Sequence, residues 1–161
     1  MKLREFKEVK ELLSSPKKIV LVPHRNPDGD AIGASLGMYH YLKNQRHEVT
    51  VVAPNDYPDF LKWLPESKEA LKFDMQNRQA KNAIEEASII FLLDFNALHR
   101  VGSDMENTLK DFTGTFIMID HHQQPDDIAK YLFSDTSICS TCQMVYHFLE
   151  KLEDLDAIDV E

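Results

Sequence analysis

Cysteine is almost missing from this 161-residue chain, which has only Cys139 and Cys142. Two thiols cannot complete a four-thiolate zinc site, and no spaced histidine pair follows to supply the other ligands. Their Cys-x-x-Cys spacing leaves a redox pair at a helix amino-terminus as one reading; two reduced thiols opening an amphipathic helix is the preferred one. Long apolar runs are missing too, for no stretch nears the ~20 residues that span a bilayer. The opening MKLREFKEVK alternates charge with isolated apolar residues. That pattern excludes a secretory apolar core and leaves a cytoplasmic address as the expectation. Positive charge is also in short supply: 18 basic residues stand against 27 acidic ones, a formal net charge of −9. Long duplex nucleic acid, gripped through its phosphates, is therefore not an expected partner. A carboxylate cluster that binds cations would reverse the sign locally, so a small phosphorylated substrate stays compatible. Internal repeats, low-complexity tracts and linkers are absent.

What is present reads as one α/β domain. The hydrophobic share of 43% and charged share of 28% are ordinary for a globular protein, and the length supports a proper core. Helix-like and strand-like segments alternate, which points to a parallel sheet. Strands are expected at Ile19 to Val22, Glu48 to Ala53, Ser88 to Leu93 and Thr115 to Ile119, with a fifth at Tyr131 to Phe133. Apolar residues at helical spacing predict helices near Glu5 to Leu13, Asp30 to Asn44, Arg78 to Ala87, Met105 to Phe112 and Ser140 to Leu152. Between Phe60 and Met75 the pattern is ambiguous, with short helical pieces around Trp63 and Ala70. Gly33 and Gly37 lie four apart in the second helix, where they lower helix propensity but permit close packing or the approach of a ligand.

Three apolar runs end in residues of metal-ligand type: IVLVPHRNPDGDAIGAS from Ile19, IIFLLDFN from Ile89 and FIMIDHH from Phe116. In an open parallel sheet the carboxyl ends of the strands face one crevice. Neighbouring strands would gather His24, Asp28, Asp30, Asp94, Asp120, His121 and His122 there. Each has a plainer reading alone. Pro-Asp-Gly-Asp also makes an ordinary surface turn, Asp94 could cap the next element, and a lone histidine is more often packed than ligating. Together they favour a divalent-metal centre, because a carboxylate after five apolar residues needs a partner. Mixed imidazole and carboxylate without thiolate suits manganese better than closed zinc or oxygen-loving magnesium. There are enough donors for two ions, which at about 3.5–4 Å apart can hold a hydroxide between them and clamp an in-line phosphoryl displacement.

These residues also carry a resemblance. HRNPDGDAIGAS, LLDFN and IDHH resemble, in order, the first three motifs of the DHH phosphoesterases, the superfamily named for its Asp-His-His. The Pro-Asp-Gly-Asp-Ala-x-Gly form is similar to that of its oligoribonuclease and 3'-phosphoadenosine-5'-phosphate phosphatase subgroup. Family II inorganic pyrophosphatases, also members, usually have Thr where Gly29 stands. The resemblance implies a Rossmann-like catalytic domain over residues 1–161, with about five parallel strands and helices on both faces. It implies one Mn2+ on His24, Asp28 and Asp94 and a second on Asp30, Asp94 and His121, with Asp94 bridging. His122 would face the substrate phosphate and Asp120 would orient the site. Arg100 is a weaker choice for phosphate contact, a plain surface arginine being the alternative. The implied substrates are short single-stranded RNA or adenosine 3',5'-bisphosphate, with cyclic or linear dinucleotides as the runner-up and a homodimer for the full-length protein.

The resemblance further implies a fourth motif, an aspartate in an Asp-Thr-Gly-like strand end, and a second domain with a Gly-Gly-Gly-His loop. No such segment follows Ile158. The expectation is therefore a catalytic domain cut before its last ligand, weak or inactive alone, or a silent metal- or nucleotide-binding module. Asp135 is the residue placed to substitute, against the plainer reading of Ser-Asp-Thr-Ser as a surface turn.

Overall fold

Each short aliphatic run becomes a strand covered on both faces, as parallel sheets require. In the computed structural model, which describes residues 3–154, the strands are β1 (Lys18–Pro23), β2 (Glu48–Ala53), β3 (Leu71–Lys72), β4 (Ile89–Leu93), β5 (Thr115–Asp120) and β6 (Tyr131–Ser134). They form one sheet in the order β3-β2-β1-β4-β5-β6, with every neighbouring pair parallel. The acidic tail from residue 155, with Ile158, lies outside the described residues.

Five helices cover the sheet: α1 (Leu3–Leu12), α2 (Gly29–Asn44), α3 (Asn77–Glu86), α4 (Ser103–Lys110) and α5 (Thr141–Lys151). The period-2 alternation of the strands divides the core in two. Ile19, Leu21, Phe91 and Ile117 face α1, α2 and α5; Val20, Val22, Ile90 and Leu92 face α3 and α4. Phe6 of α1 is locked onto β6 and α5, its ring centroid 4.6 Å from that of Phe133 and 5.8 Å from that of Phe148. No helix among the described residues is long and apolar enough to cross a membrane.

The sheet has six strands rather than about five. The extra one, β3, pairs only Leu71 and Lys72 with Val52 and Ala53 at the edge, and two residues are too few to show an alternating pattern. The ambiguous stretch before it resolves into two 3-10 turns, Asp59–Leu61 and Ser67–Glu69. A hydrogen bond from the Tyr57 hydroxyl to the Ser67 carbonyl ties the two ends of that segment together.

Strand order reverses between β1 and β4, so the connections leaving those two strands diverge and open a crevice at their carboxyl ends. Two helices start at the same edge. Asp28 caps α2, its side chain accepting from the Asp30 and Ala31 amides at 2.9 and 3.1 Å. Ser140 caps α5 by accepting from the Gln143 amide at 3.1 Å. A Cβ at Gly33 would lie 2.9 Å from Cys142 Sγ, whereas one at Gly37 would meet nothing within 4 Å. Close approach of α2 to α5 thus depends on the first glycine, beside the crevice.

Candidate metal centre

Asp94 sits at the middle of the crevice, one residue past β4. Its φ of 66° is in the left-handed region, which aspartate tolerates better than most residues, and such a conformation persists where its surroundings impose it. The Asp94 amide donates to the Ile119 carbonyl of β5 at 3.2 Å, while the carboxylate, only 4% exposed, lies between two imidazoles. His24 Nε2 is 3.6 Å from Asp94 Oδ2, and His121 Nε2 is 3.5 Å from Oδ1. Potential ligand atoms form two sets, each mutually within 4.8 Å: His24, Asp28 and Asp94, and Asp94, His121 and His122. Asp94 belongs to both.

All three histidines are prepared in the same way. His24 Nδ1 donates to the Arg25 carbonyl at 2.8 Å, His121 Nδ1 to the Ile138 carbonyl at 3.2 Å, and His122 Nδ1 to Asp120 Oδ1 at 2.6 Å. An acceptor at Nδ1 holds the proton there and leaves Nε2 with a lone pair, the arrangement that metal-ligating histidines use. Asp120 is wholly buried beneath His122 and also accepts that residue's amide at 3.0 Å. His24 is held above its ordinary pKa of 6.5, chiefly through its interaction with Asp94, while burial works the other way. The same negative field that draws a proton to His24 favours a divalent cation. Borderline nitrogen donors beside hard oxygens suit such an ion of the first transition row.

Asp30 is placed differently from the other carboxylates. Its Oδ2 accepts the Thr141 amide at 2.7 Å and its Oδ1 the Cys142 amide at 2.8 Å, so it caps α5 from a distance of more than a hundred residues in sequence. Oδ2 also lies 3.8 Å from His121 Nε2, at the edge of the second set. Thr141 is the residue that sequence reasoning missed. It is fully buried, and its Oγ1 donates to Asp94 Oδ1 at 2.7 Å, so one residue orients Asp30 through its amide and Asp94 through its hydroxyl. The signal was its place just after the N-cap Ser140, where amides of a first turn stand free to bind anions.

The remaining residues lie around this core. Arg100 is exposed on the turn after β4, and its carbonyl accepts the Arg25 amide at 2.8 Å, which joins that turn to the His24 loop. Asp135 is outside both sets; its Oδ1 accepts from the Ser137 amide and hydroxyl at 2.9 and 2.6 Å, a local turn. The cysteines are free and face different partners, Cys139 Sγ toward Gln143 and Cys142 Sγ toward the Asp30 carbonyl. Burial, reinforced by Asp30, pushes the Cys142 thiol up to about 12, the reverse of what a redox cysteine needs.

The chain is 32% identical over 151 residues to the bifunctional oligoribonuclease and PAP phosphatase NrnA of Thermus thermophilus, covering 94% of this chain and 41% of that protein. It is 24% identical over 158 residues to the cyclic-di-AMP phosphodiesterase PdeA of Listeria monocytogenes, covering 93% of this chain and 24% of that protein. The crystal structure of an exopolyphosphatase-related protein from Bacteroides fragilis matches with a TM-score of 0.95 at 39% identity, over 98% of this chain and 46% of that one. The chain spans less than half the length of each of these relatives. The family model for the DHH family, N-terminal domain, matches residues 18–160, and the chain belongs to that family.

Proposed function

We propose that this chain is the cation-binding catalytic domain of a manganese-dependent phosphoesterase that acts on short oligoribonucleotides and adenosine 3',5'-bisphosphate. The observation that carries this reading is the convergence of three Nδ1-anchored imidazoles with Asp28 and Asp94 at the β1–β4 crevice. His24, Asp28 and Asp94 would hold one cation; Asp94 and His121, with Asp30 alongside, would hold a second. Cations bound there supply charge that polarises a phosphoryl oxygen and acidifies water.

The chain's own residues do the positioning. His122, its Nδ1–H given to buried Asp120, keeps the lone pair of Nε2 free, and beside Asp94 and His121 its ring would meet a substrate phosphate oxygen as charge accumulates there. Thr141 fixes the carboxylate shared by the two sets, and the amino-terminus of α5 fixes Asp30. Asp135, engaged in its own turn, takes no part in either set.

Substrate choice rests on the relatives. The Thermus protein at 32% identity is named for oligoribonuclease and nucleotide phosphatase activity, and the Listeria protein at 24% for cyclic-di-AMP hydrolysis; the first reading is therefore preferred and the second kept. Calorimetric titration with Mn2+ should show binding to the wild-type chain and loss of it in Asp94→Ala. Equal heats from the two proteins would overturn the metal centre. Product analysis on dinucleotides, adenosine bisphosphate and pyrophosphate then separates the substrates.

A further inference from the structure

Two large aromatic side chains stand in solvent on the segment that follows β2. Phe60 is 71% and Trp63 77% exposed, far beyond what a core or a packed loop leaves open. Both belong to the segment after β2, which leaves the sheet at the same carboxyl edge as the metal centre. That segment is fastened to the motif that bears His24 and Asp28. Asn55 accepts the Asn26 amide at 2.8 Å and donates to the Asn26 side chain at 3.0 Å, and a Cβ on Gly29 would be in van der Waals contact with Leu61 at 3.8 Å.

The backbone between the two aromatics is held as firmly. Amides of Leu61, Lys62 and Leu64 bond to carbonyls three residues back, at 3.0, 3.0 and 3.2 Å. Leu61 and Leu64 pack inward against the core, which leaves Phe60 and Trp63, each one residue earlier, in solvent three positions apart. Lys62, between them, is committed to Asp56 at 2.8 Å and Asp59 at 2.9 Å. The surface therefore offers flat apolar rings on a fixed backbone, with its cation already paired.

We infer that Phe60 and Trp63 form a stacking platform for the nucleobases of a single-stranded oligonucleotide whose phosphate lies in the metal centre. This rests on the phosphoesterase reading and specifies how the same site holds its substrate. Rings without free positive charge bind bases rather than phosphates, and stacking is tolerant of base identity because every base has a π-face. The platform selects for single strands carrying bases, with little preference among sequences.

Trp63 is the sole tryptophan in the chain, so emission reports this position alone. The wild-type protein with saturating Mn2+ is titrated with a phosphorothioate penta-adenylate and, in parallel, with an abasic ribose-phosphate pentamer. The penta-adenylate should quench Trp63 and the abasic strand should not. By anisotropy of labelled penta-adenylate, Trp63→Ala should bind about tenfold more weakly, Phe60→Ala should weaken it too, and Trp63→Phe should retain most of the affinity. Penta-adenylate binding with unchanged emission and equal affinity for Trp63→Ala overturns the platform while leaving the phosphoesterase reading in place. No manganese binding and no penta-adenylate binding overturns both. If Trp63→Ala instead converts a dimer to a monomer in sedimentation, with penta-adenylate affinity unchanged, the surface is an interface between copies and the platform is refuted.

Discussion

Replacing Thr141 by valine would remove one hydroxyl from beside Asp94 and little else. Valine keeps the shape, and the main-chain amide that reaches Asp30 at 2.7 Å is unaffected by the side chain. What disappears is the 2.7 Å hydrogen bond from Oγ1 to Asp94 Oδ1, made where no water can substitute because Thr141 is fully buried. A hydrogen bond to a charged group contributes about 1.5–3 kcal/mol. Loss of a partner that orients a metal-binding carboxylate weakens affinity by roughly 10–100-fold. At about 1.4 kcal/mol per tenfold the two routes agree. Manganese titration by calorimetry should therefore place the Kd of Thr141→Val about 10–100-fold above wild type, with Thr141→Ser close to wild type because it keeps the donor. Thermal unfolding of the metal-free proteins serves as the control for a general loss of structure. A valine variant within twofold of wild type, or a serine variant as impaired as valine, would refute the idea that Thr141 positions Asp94.

Two further predictions concern the scaffold. Gly37→Ala should raise Tm by ~2 °C, since the added methyl meets nothing and removes about 0.5–1 kcal/mol of helix-propensity penalty; Gly33→Ala should not, because its methyl would press on Cys142 Sγ at 2.9 Å, and equal gains from both would contradict the packing described. His47 is buried at the far end of the sheet with Nδ1 accepting the Lys17 amide at 3.1 Å, and burial first, then Lys17, hold it below its ordinary 6.5. Its contribution is whole above pH ~6.5 and is lost as pH falls below that, because the unfolded chain takes up a proton the folded chain resists. Urea midpoints of wild type should fall more steeply than those of His47→Gln between pH 7.5 and 5.5, and parallel lines would refute this.

Strands and the residues that converge on the crevice were legible for one physical reason, and their supports were not for another. A buried parallel strand must be continuously apolar, so IIFLL and FIMID announce themselves, and a carboxylate or imidazole directly after such a run stands out against its own desolvation cost. Asp94 and His121 were therefore visible at a distance of 27 positions. Short elements carry no such pattern: β3 is two residues long, and its pairing with β2 is decided by the sheet edge left open at Val52 and Ala53. Thr141, and the hold it has on Asp30, escape in a different way. Asp30 stands out in the sequence as a candidate ligand, but Thr141 has a sufficient local explanation after the cap of α5, and only the packing of α2 on α5 brings the two helix starts together. A carboxylate engaged by two amides is held in place more firmly than one free to move, so Asp30 serves the crevice partly as its buttress. The candidate ligands are thus written in single residues, whereas the contacts that hold them in place run between segments that sequence order keeps apart.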